Sequence, residues 1–374
     1  MLRSARIWLG GFILLTFTGT ASANWTMNMT RGATEVSRSV FDLHMAIFWI
    51  SVVIGAIVFG VMFWSMFMHR RSRGAVAATF HENITVEILW TVIPLLILIG
   101  MAIPATKTLI DQYNTEDADL DIMITGHQWR WQYSYLGEDV SFMSNMTTPR
   151  EQIANQAPKG EHYLLEVDNP MVVPVGKKVR FLITSGDTIH SWWVPALAVK
   201  KDAIPGFINE AWTRIDEPGL YRGQCAELCG RDHGFMPIVV DARTPEDFNS
   251  WLAEKKASSA AEAELTSKDW TLDELKERGE KVYTSTCVAC HQASGEGLPP
   301  MFPALKGSLI ATKDQAAHIN IVVNGKPGTA MAAFGKQLSE VDIAAVITYE
   351  RNAWGNNTGE MVAPVDILNF KKGQ

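Results

Sequence analysis

The four cysteines of this 374-residue chain fall into two tight pairs, and one pair belongs to a short motif with a histidine. Cys287, Cys290 and His291 form the pattern C-x-x-C-H, which is the attachment signal for c-type haem. This spacing lets both thiols add to the haem vinyl groups while the following histidine reaches the iron. A redox-active dithiol is the alternative, but it needs no histidine here and usually follows a strand. The motif therefore predicts a covalent haem held by these three residues.

A methionine is the expected second iron ligand, because a His/Met pair raises the reduction potential of the haem. Met301, Met331 and Met361 all follow the motif. Met301 comes soon after it, beside two prolines, whereas Met331 leaves the chain enough length to cross to the other face of the haem. We therefore predict that Met331 is the axial ligand.

The other cysteine pair lies in a segment that also holds His233 and Met236, and His190 lies upstream. Thiolate, thioether and imidazole are donors that copper prefers. The thiolates of Cys225 and Cys229 can bridge two copper ions, each capped by one histidine, with the methionine as a weak ligand. A disulfide is the alternative in an oxidising compartment, but it would not require His233 and Met236 at fixed offsets. Zinc is disfavoured by the methionine. The pattern predicts a binuclear copper site.

Two apolar segments must anchor these sites to a membrane. Residues 45–68 contain no Asp, Glu, Lys, Arg or His, and residues 88–103 form a second apolar run. A membrane span needs about 20 apolar residues. We predict a transmembrane hairpin within residues 24–110, with helices at about 41–68 and 84–106.

The charge pattern orients this hairpin. The loop between the two helices reads His-Arg-Arg-Ser-Arg, and short cytoplasmic loops are enriched in Lys and Arg. Residues 1–23 have a basic start, an apolar middle and a small-residue end, which predicts a cleaved signal peptide, although a third membrane helix is the alternative. Both features place the copper and haem segments on the outer side of the membrane.

The water-facing part divides into two domains. Residues 111–252 contain short strands separated by turn residues, which favours an all-β Greek-key domain. Residues 253–270 are rich in Ala, Ser, Glu and Lys and are predicted to be a linker, partly helical. Residues 271–374 favour a small all-α haem domain.

At this point the chain resembles subunit II of haem–copper cytochrome c oxidases. The family's motif C-x-E-x-C-x-x-x-H-x-x-M matches from Cys225 to Met236 at every position, and the stretches 126–131, 185–192 and 201–206 match as well. The resemblance spans about residues 35–250. It implies a cupredoxin-like fold for the β domain, and the C-terminal haem domain makes the chain similar to the caa-type oxidases.

The resemblance also implies roles for individual residues. The implied copper ligands are the side chains of His190, Cys225, Cys229, His233 and Met236 and the backbone carbonyl of Glu227. The side chain of Glu227 would help bind magnesium shared with subunit I. Trp129 would match the exposed tryptophan through which electrons arrive from cytochrome c. Glu87 would match the carboxylate at the mouth of a proton channel, whereas its sequence position alone favours an interfacial anchor.

These expectations define an electron-transfer subunit of a proton-pumping terminal oxidase in the bacterial inner membrane, whose dioxygen site lies in another subunit. Its expected partners are subunit I, subunit III, the lipid bilayer and a cytochrome c or other electron donor. The net charge of −7 argues against nucleic acid. A quinol oxidase subunit would lack the copper ligands, a copper carrier would hold one copper and no haem, and a nitrous-oxide-type reductase would carry a further cluster domain.

Overall fold

The computed structural model describes residues 28–335 and 337–373, so the predicted signal peptide at 1–23 lies outside the described residues. Within these described residues, two long helices come first, ten strands follow, and a group of helices ends the order. The first helices are α1, Glu35–Met68, and α2, Ile84–Tyr113. A single 3-10 turn, Arg71–Arg73, lies between them.

The hairpin helices are long and apolar enough to cross a membrane. Both extend beyond the ranges expected from hydropathy, because polar caps and polar turns continue them into water. Thr34 and Ser37 form a capping box at the start of α1, and Asn83 caps α2. Ser39 on α1 and Thr108 on α2 lie 3.2 Å apart through their hydroxyl oxygens.

The β domain is a sandwich of two five-stranded sheets. The first has the order β3-β2-β1-β5-β8 and the second β4-β10-β9-β6-β7. The strands of the first sheet are β1 Leu120–His127, β2 Arg130–Tyr135, β3 Val140–Ser144, β5 Val179–Ser185 and β8 Asn209–Thr213. Those of the second are β4 Met171–Pro174, β6 His190–Val194, β7 Val199–Ala203, β9 Gly219–Cys225 and β10 Pro237–Arg243. Non-local neighbours such as β1 beside β5 give the crossovers of a Greek key.

The sandwich sits on the outer ends of both membrane helices. Arg38 of α1 forms an ion pair of 2.6 Å with Asp216, and Trp212 donates from its indole to the carbonyl of Asp111 in α2 at 3.0 Å. These contacts join the hairpin to the β domain at two separate points.

The segment after the sandwich is a helix for most of its length. Helix α4, Pro245–Leu265, follows a short helix α3, Arg150–Ile153, in chain order. Phe248 and Trp251 of α4 are buried in the β-domain core. The predicted linker at 253–270 is therefore mostly a continuation of a packed helix.

The C-terminal domain is all-α. Its helices are α5 Leu272–Val282, α6 Val288–His291, α7 Leu309–Lys313, α8 Gln315–Asn324, α9 Glu340–Asn352 and α10 Pro364–Lys372. A π-helical turn, Tyr283–Cys287, joins α5 to α6. Helices α5 and α9 cross so closely that a Cβ added at Gly279 would lie 2.1 Å from the carbonyl oxygen of Ala345. This crossing fixes the start of the haem-motif turn against the domain core.

Candidate metal centre and haem-attachment site

The predicted copper ligands meet at one end of the second sheet. His190 begins β6 and Cys225 ends β9, and the two strands are antiparallel neighbours. The chain then turns back through Cys229 and a 3-10 turn that starts at His233 before entering β10 after Met236. Among the five residues expected to bind through their side chains, all but His233 are almost fully buried. A distant histidine and a compact loop are thereby brought together.

The donor atoms lie close enough to share metal ions. The sulfur atoms of Cys225 and Cys229 are 3.8 Å apart, and both thiols are free. The Nδ1 atom of His190 lies 3.9 Å from the Cys225 sulfur, and the Nδ1 atom of His233 lies 3.5 Å from the Cys229 sulfur. The carbonyl oxygen of Glu227 is 3.4 Å from the Cys225 sulfur.

The two thiols titrate together. A hydrogen bond from the Cys229 thiol lowers the pKa of Cys225 to about 3, and the resulting thiolate raises the pKa of Cys229. Thiolate and imidazole donors in this arrangement fit copper.

Asp187 orients the upstream imidazole. Its carboxylate oxygen lies 2.8 Å from Nε2 of His190, which leaves Nδ1 directed at Cys225. Burial opposes ionisation of Asp187, but the hydrogen bonds from His190 and from the backbone N–H of Gln128 and Thr188 outweigh it and lower its pKa. Sequence reasoning missed Asp187, although a carboxylate three residues before a ligand histidine is a recognisable signal.

The haem-motif residues lie on the π-helical turn and on α6, which together are called the haem-attachment turn. Cys287 and Cys290 are half-buried, and burial raises the pKa of both thiols. Nδ1 of His291 lies 2.9 Å from the carbonyl oxygen of Pro303, so this nitrogen donates and Nε2 remains available. Such a hydrogen bond fixes ring orientation and raises ligand basicity. The three residues fit a covalent haem with an Nε2–iron bond.

The three candidate methionines differ in burial. Met331 is half-buried and packs against the core of the C-terminal domain. Met301 is 73% exposed and Met361 is 43% exposed. Of the three, only Met331 is partly covered by the haem-domain core.

Trp129 lies against the copper loop, which is the segment from Cys225 to Met236. Its indole nitrogen donates to the carbonyl of Cys229 at 3.2 Å, and the side-chain amide of Gln128 donates to the same oxygen at 2.9 Å. Trp129 is half-buried rather than freely exposed. Glu227 is exposed, and Glu87 is exposed in the first turn of α2.

The two soluble domains touch close to both sites. Arg231, two residues after Cys229, donates to the carbonyl of Ala289 at 2.9 Å, and Ala289 lies between the haem-motif cysteines. Arg130 donates to Thr286, which directly precedes Cys287. Nothing in the local sequence pattern identifies either arginine as an interdomain contact.

Three known sequence families match successive parts of the chain. Residues 22–108 match "Cytochrome C oxidase subunit II, transmembrane domain", and residues 120–243 match "Cytochrome C oxidase subunit II, periplasmic domain". Residues 274–349 match "Cytochrome C oxidase, cbb3-type, subunit III".

Individual relatives carry corresponding names. A probable cytochrome c oxidase subunit 2 of Rickettsia bellii is 40% identical over 237 residues, covering 63% of this chain and 86% of the relative. Cytochrome c oxidase subunit 2 of Arabidopsis thaliana is 35% identical over 248 residues, covering 65% and 94%. The crystal structure of the periplasmic domain of subunit II of cytochrome oxidase of Bradyrhizobium japonicum is 41% identical, covers 38% of this chain and 98% of that domain, and has a TM-score of 0.35.

Proposed function

Because the chain belongs to the cytochrome c oxidase subunit II family and carries a cytochrome c domain at its C-terminal end, we propose that it conducts electrons in two stages. Electrons from an external donor enter the C-terminal domain, cross to the copper domain, and continue to the catalytic subunit. That subunit reduces dioxygen to water and pumps protons. The predicted fold class and the location in a bacterial inner membrane with periplasmic domains are confirmed.

The copper part of the proposal assigns six ligands. They are the side chains of His190, Cys225, Cys229, His233 and Met236 and the carbonyl of Glu227. When bound, the paired copper ions supply a one-electron carrier. The protein's own contribution is rigidity: strands β6 and β9 hold the ends of the site, the Asp187 hydrogen bond fixes one imidazole, and burial excludes water. A rigid, dry site needs little rearrangement during electron transfer.

The haem part assigns Cys287 and Cys290 to the covalent attachment, and His291 and Met331 to the iron. When bound, the haem supplies a second one-electron carrier. The Pro303 carbonyl holds the imidazole of His291 by its Nδ1 proton, which leaves Nε2 as the only nitrogen available to iron. The half-buried position of Met331 against the domain core supports its assignment over Met301.

One observation carries the proposed order of transfer. The copper loop and the haem-attachment turn meet at the 2.9 Å hydrogen bond from Arg231 to Ala289. This contact joins a residue two positions from Cys229 to a residue adjacent to Cys290. Trp129, between β1 and β2, contacts the same loop through its hydrogen bond to the Cys229 carbonyl, which supports a role in electron passage between the domains.

Three further assignments concern the rest of the oxidase. Exposed Glu227, between the two copper-domain cysteines, is proposed to bind magnesium at the border with subunit I. Glu87, at the cytoplasmic end of α2 in the predicted topology, is proposed as the carboxylate at the mouth of a proton channel in subunit I. Subunit III and a cytochrome c or other electron donor complete the proposed partners.

The proposal is tested on the purified oxidase complex by metal analysis, haem spectroscopy and electron paramagnetic resonance. We expect two copper ions per copy of this chain, a mixed-valence copper signal, and a c-type haem that stays bound after denaturation. Cys229→Ser should remove the mixed-valence signal and keep the haem. Cys287→Ala should weaken covalent attachment and keep the copper signal.

Each variant is thus the matched control for the other. One copper per chain would instead favour a copper carrier. Fully matured, haem-loaded complex without copper would contradict the proposal.

A further inference from the structure

Arg130 is a buried cation at the junction of the two soluble domains. It begins β2, directly after Trp129, and only 6% of its surface is exposed. Its guanidinium donates to the hydroxyl of Thr286 at 3.1 Å and to the side-chain oxygen of Gln337 at 2.8 Å. It also lies 5.3 Å from the ring centroid of Phe334. All three contacts are in the C-terminal domain.

The environment of this guanidinium is unusual for a structural arginine. Among the residues that the structure describes, no carboxylate lies within ion-pair distance of it, and its Nε atom finds no hydrogen-bond partner. Burial lowers the pKa of Arg130 to about 10, so the side chain is still charged at neutral pH. Burying a charge without an ion-pair partner is costly. The contacts with Thr286, Gln337 and Phe334 offset this cost only while the two domains are docked.

Two other attachments fix the same arrangement. Arg231 reaches the carbonyl of Ala289, as described above. At the far end of α4, Glu262 accepts hydrogen bonds from Arg278 at 2.5 Å and from Ser339 at 2.9 Å. Because α4 is packed into the β domain at its other end, the C-terminal domain is held at three points.

We propose that Arg130 is a positioning residue whose contacts form a latch that holds the C-terminal domain on the Trp129 face of the copper domain. The latch reserves this face for the chain's own haem and closes it to soluble carrier proteins. The inference rests on the proposed two-stage electron transfer. Soluble donors must then deliver electrons to the C-terminal domain, because the docked domain occupies the face beside Trp129, where Arg130 makes its contacts.

The chemistry of the arginine contacts predicts how the latch behaves. The acceptors of Arg130 and Arg231 are a hydroxyl, an amide oxygen and a peptide carbonyl, none of which carries a charge, whereas the Glu262–Arg278 contact at the end of α4 is an ion pair. Ion-pair docking between separate proteins weakens as salt screens the charges, with a screening length of about 10 Å at 0.1 M. The latch should therefore be nearly insensitive to ionic strength, in contrast to docking of an external cytochrome c.

The test uses the complete oxidase in wild-type form and with Arg130→Ala. Pulsed electron paramagnetic resonance measures the dipolar coupling between the ferric haem and the mixed-valence copper pair, without added labels. We expect one narrow distance in the wild type at low and high salt. Arg130→Ala should broaden the distribution, because each lost hydrogen bond from a charged donor shifts the docked-to-undocked ratio by about tenfold or more.

Stopped-flow mixing with reduced mitochondrial cytochrome c supplies the second readout. In the wild type the fused haem should be reduced before the copper pair. In Arg130→Ala, haem-to-copper transfer should slow by at least about tenfold, and part of the copper reduction should no longer follow the fused haem. If Arg130→Ala only unfolded the protein, the cofactor spectra would be lost, and direct electron transfer from the soluble cytochrome c to the copper pair would not appear.

Three further variants complete the design. Arg180→Ala, which breaks an ion pair with Asp121 inside the β domain, is the matched control and should behave as wild type. Gln337→Leu attacks the latch from the other domain, and Arg130→Lys should restore docking in part. A narrow distance and normal transfer rate in Arg130→Ala would overturn the latch. A wild type without either paramagnetic signal would instead contradict the proposed function.

Discussion

The close crossing of α5 and α9 makes Gly279→Ala a sharp test of the haem-domain packing. An added Cβ would lie 2.1 Å from the Ala345 carbonyl oxygen, 2.6 Å from its carbonyl carbon and 2.7 Å from the Cβ of Tyr349. Two of these neighbours are backbone atoms, which cannot rotate away. To reach ordinary contact the helices must separate by about 1 Å, because non-bonded carbon atoms prefer about 3.5 Å or more.

The expected cost follows from two opposing terms. Overpacking of a well-packed interface costs about 3 kcal/mol at the upper end of its usual range. The alanine also stabilises α5 by about 1 kcal/mol, because alanine is a better helix former than glycine. The net destabilisation of about 2 kcal/mol corresponds to a fall in Tm of about 8–16 °C for a domain of this size.

Thermal unfolding of the full chain in detergent, followed by circular dichroism in the Soret region, measures this change at the haem itself. Gly373→Ala is the matched control, because a Cβ there would meet only Asn369 and Phe370 carbonyl oxygens, at 3.5 and 3.8 Å. Each kcal/mol of destabilisation lowers the Tm of such a domain by about 4 °C or more. The close crossing would be refuted if the Tm of Gly279→Ala lay within about 2 °C of the wild type and the control.

Three other predictions concern individual side chains. Met331→Ala should keep the haem covalently attached but change its visible spectrum and lower its reduction potential. Met301→Ala should change neither property. An unchanged spectrum in Met331→Ala would contradict the axial assignment. Asp187→Asn should lower copper affinity by about 10- to 100-fold, measured by competition with a copper chelator, because the copper-facing imidazole loses its orienting carboxylate. Hydrogen bonds from the Thr271 backbone N–H, Lys268 and the Thr271 hydroxyl lower the pKa of Glu274 to about 2, below the ordinary value of 4.5. The capping of α5 by Glu274 is therefore complete above pH 4.5 and lost as the pH falls towards 2. Glu274→Gln should flatten the pH dependence of hydrogen exchange in α5 between these pH values. An unaltered profile would count against the capping box.

The residues of both candidate sites could be singled out from the sequence because their chemistry is local in the chain. The spacing of Cys287, Cys290 and His291 specifies one attachment geometry, and most copper-site residues lie on a single loop. His190 is distant in sequence, but a family motif accompanies it. The structure adds to these predictions the distances and the orienting roles of Asp187 and Pro303.

The interdomain geometry could not be predicted in the same way. Arg130 and Arg231 contact residues far along the chain, and neither periodicity nor spacing records such a contact. The predicted inner ends of the hairpin helices, at 68 and 84, agree with the structure, but the outer ends were placed too far inward. Hydropathy falls before the hydrogen-bonded turns that reach Thr34 and Tyr113. Composition indicated that 253–270 is partly helical, but it did not show that this helix begins at Pro245 and is anchored in the β domain by Phe248 and Trp251.

The continuous helix between the two redox domains has a consequence for how such a fusion can change during evolution. Each residue added to an α-helix turns everything beyond it by about 100° and moves it by about 1.5 Å. A single insertion in the exposed middle of α4 would swing the haem-attachment turn away from the copper loop, whereas a flexible tether would absorb it. Length variation at this junction should therefore be tolerated only in steps that restore the helical phase, or at the turn after Leu265 where the helix has ended.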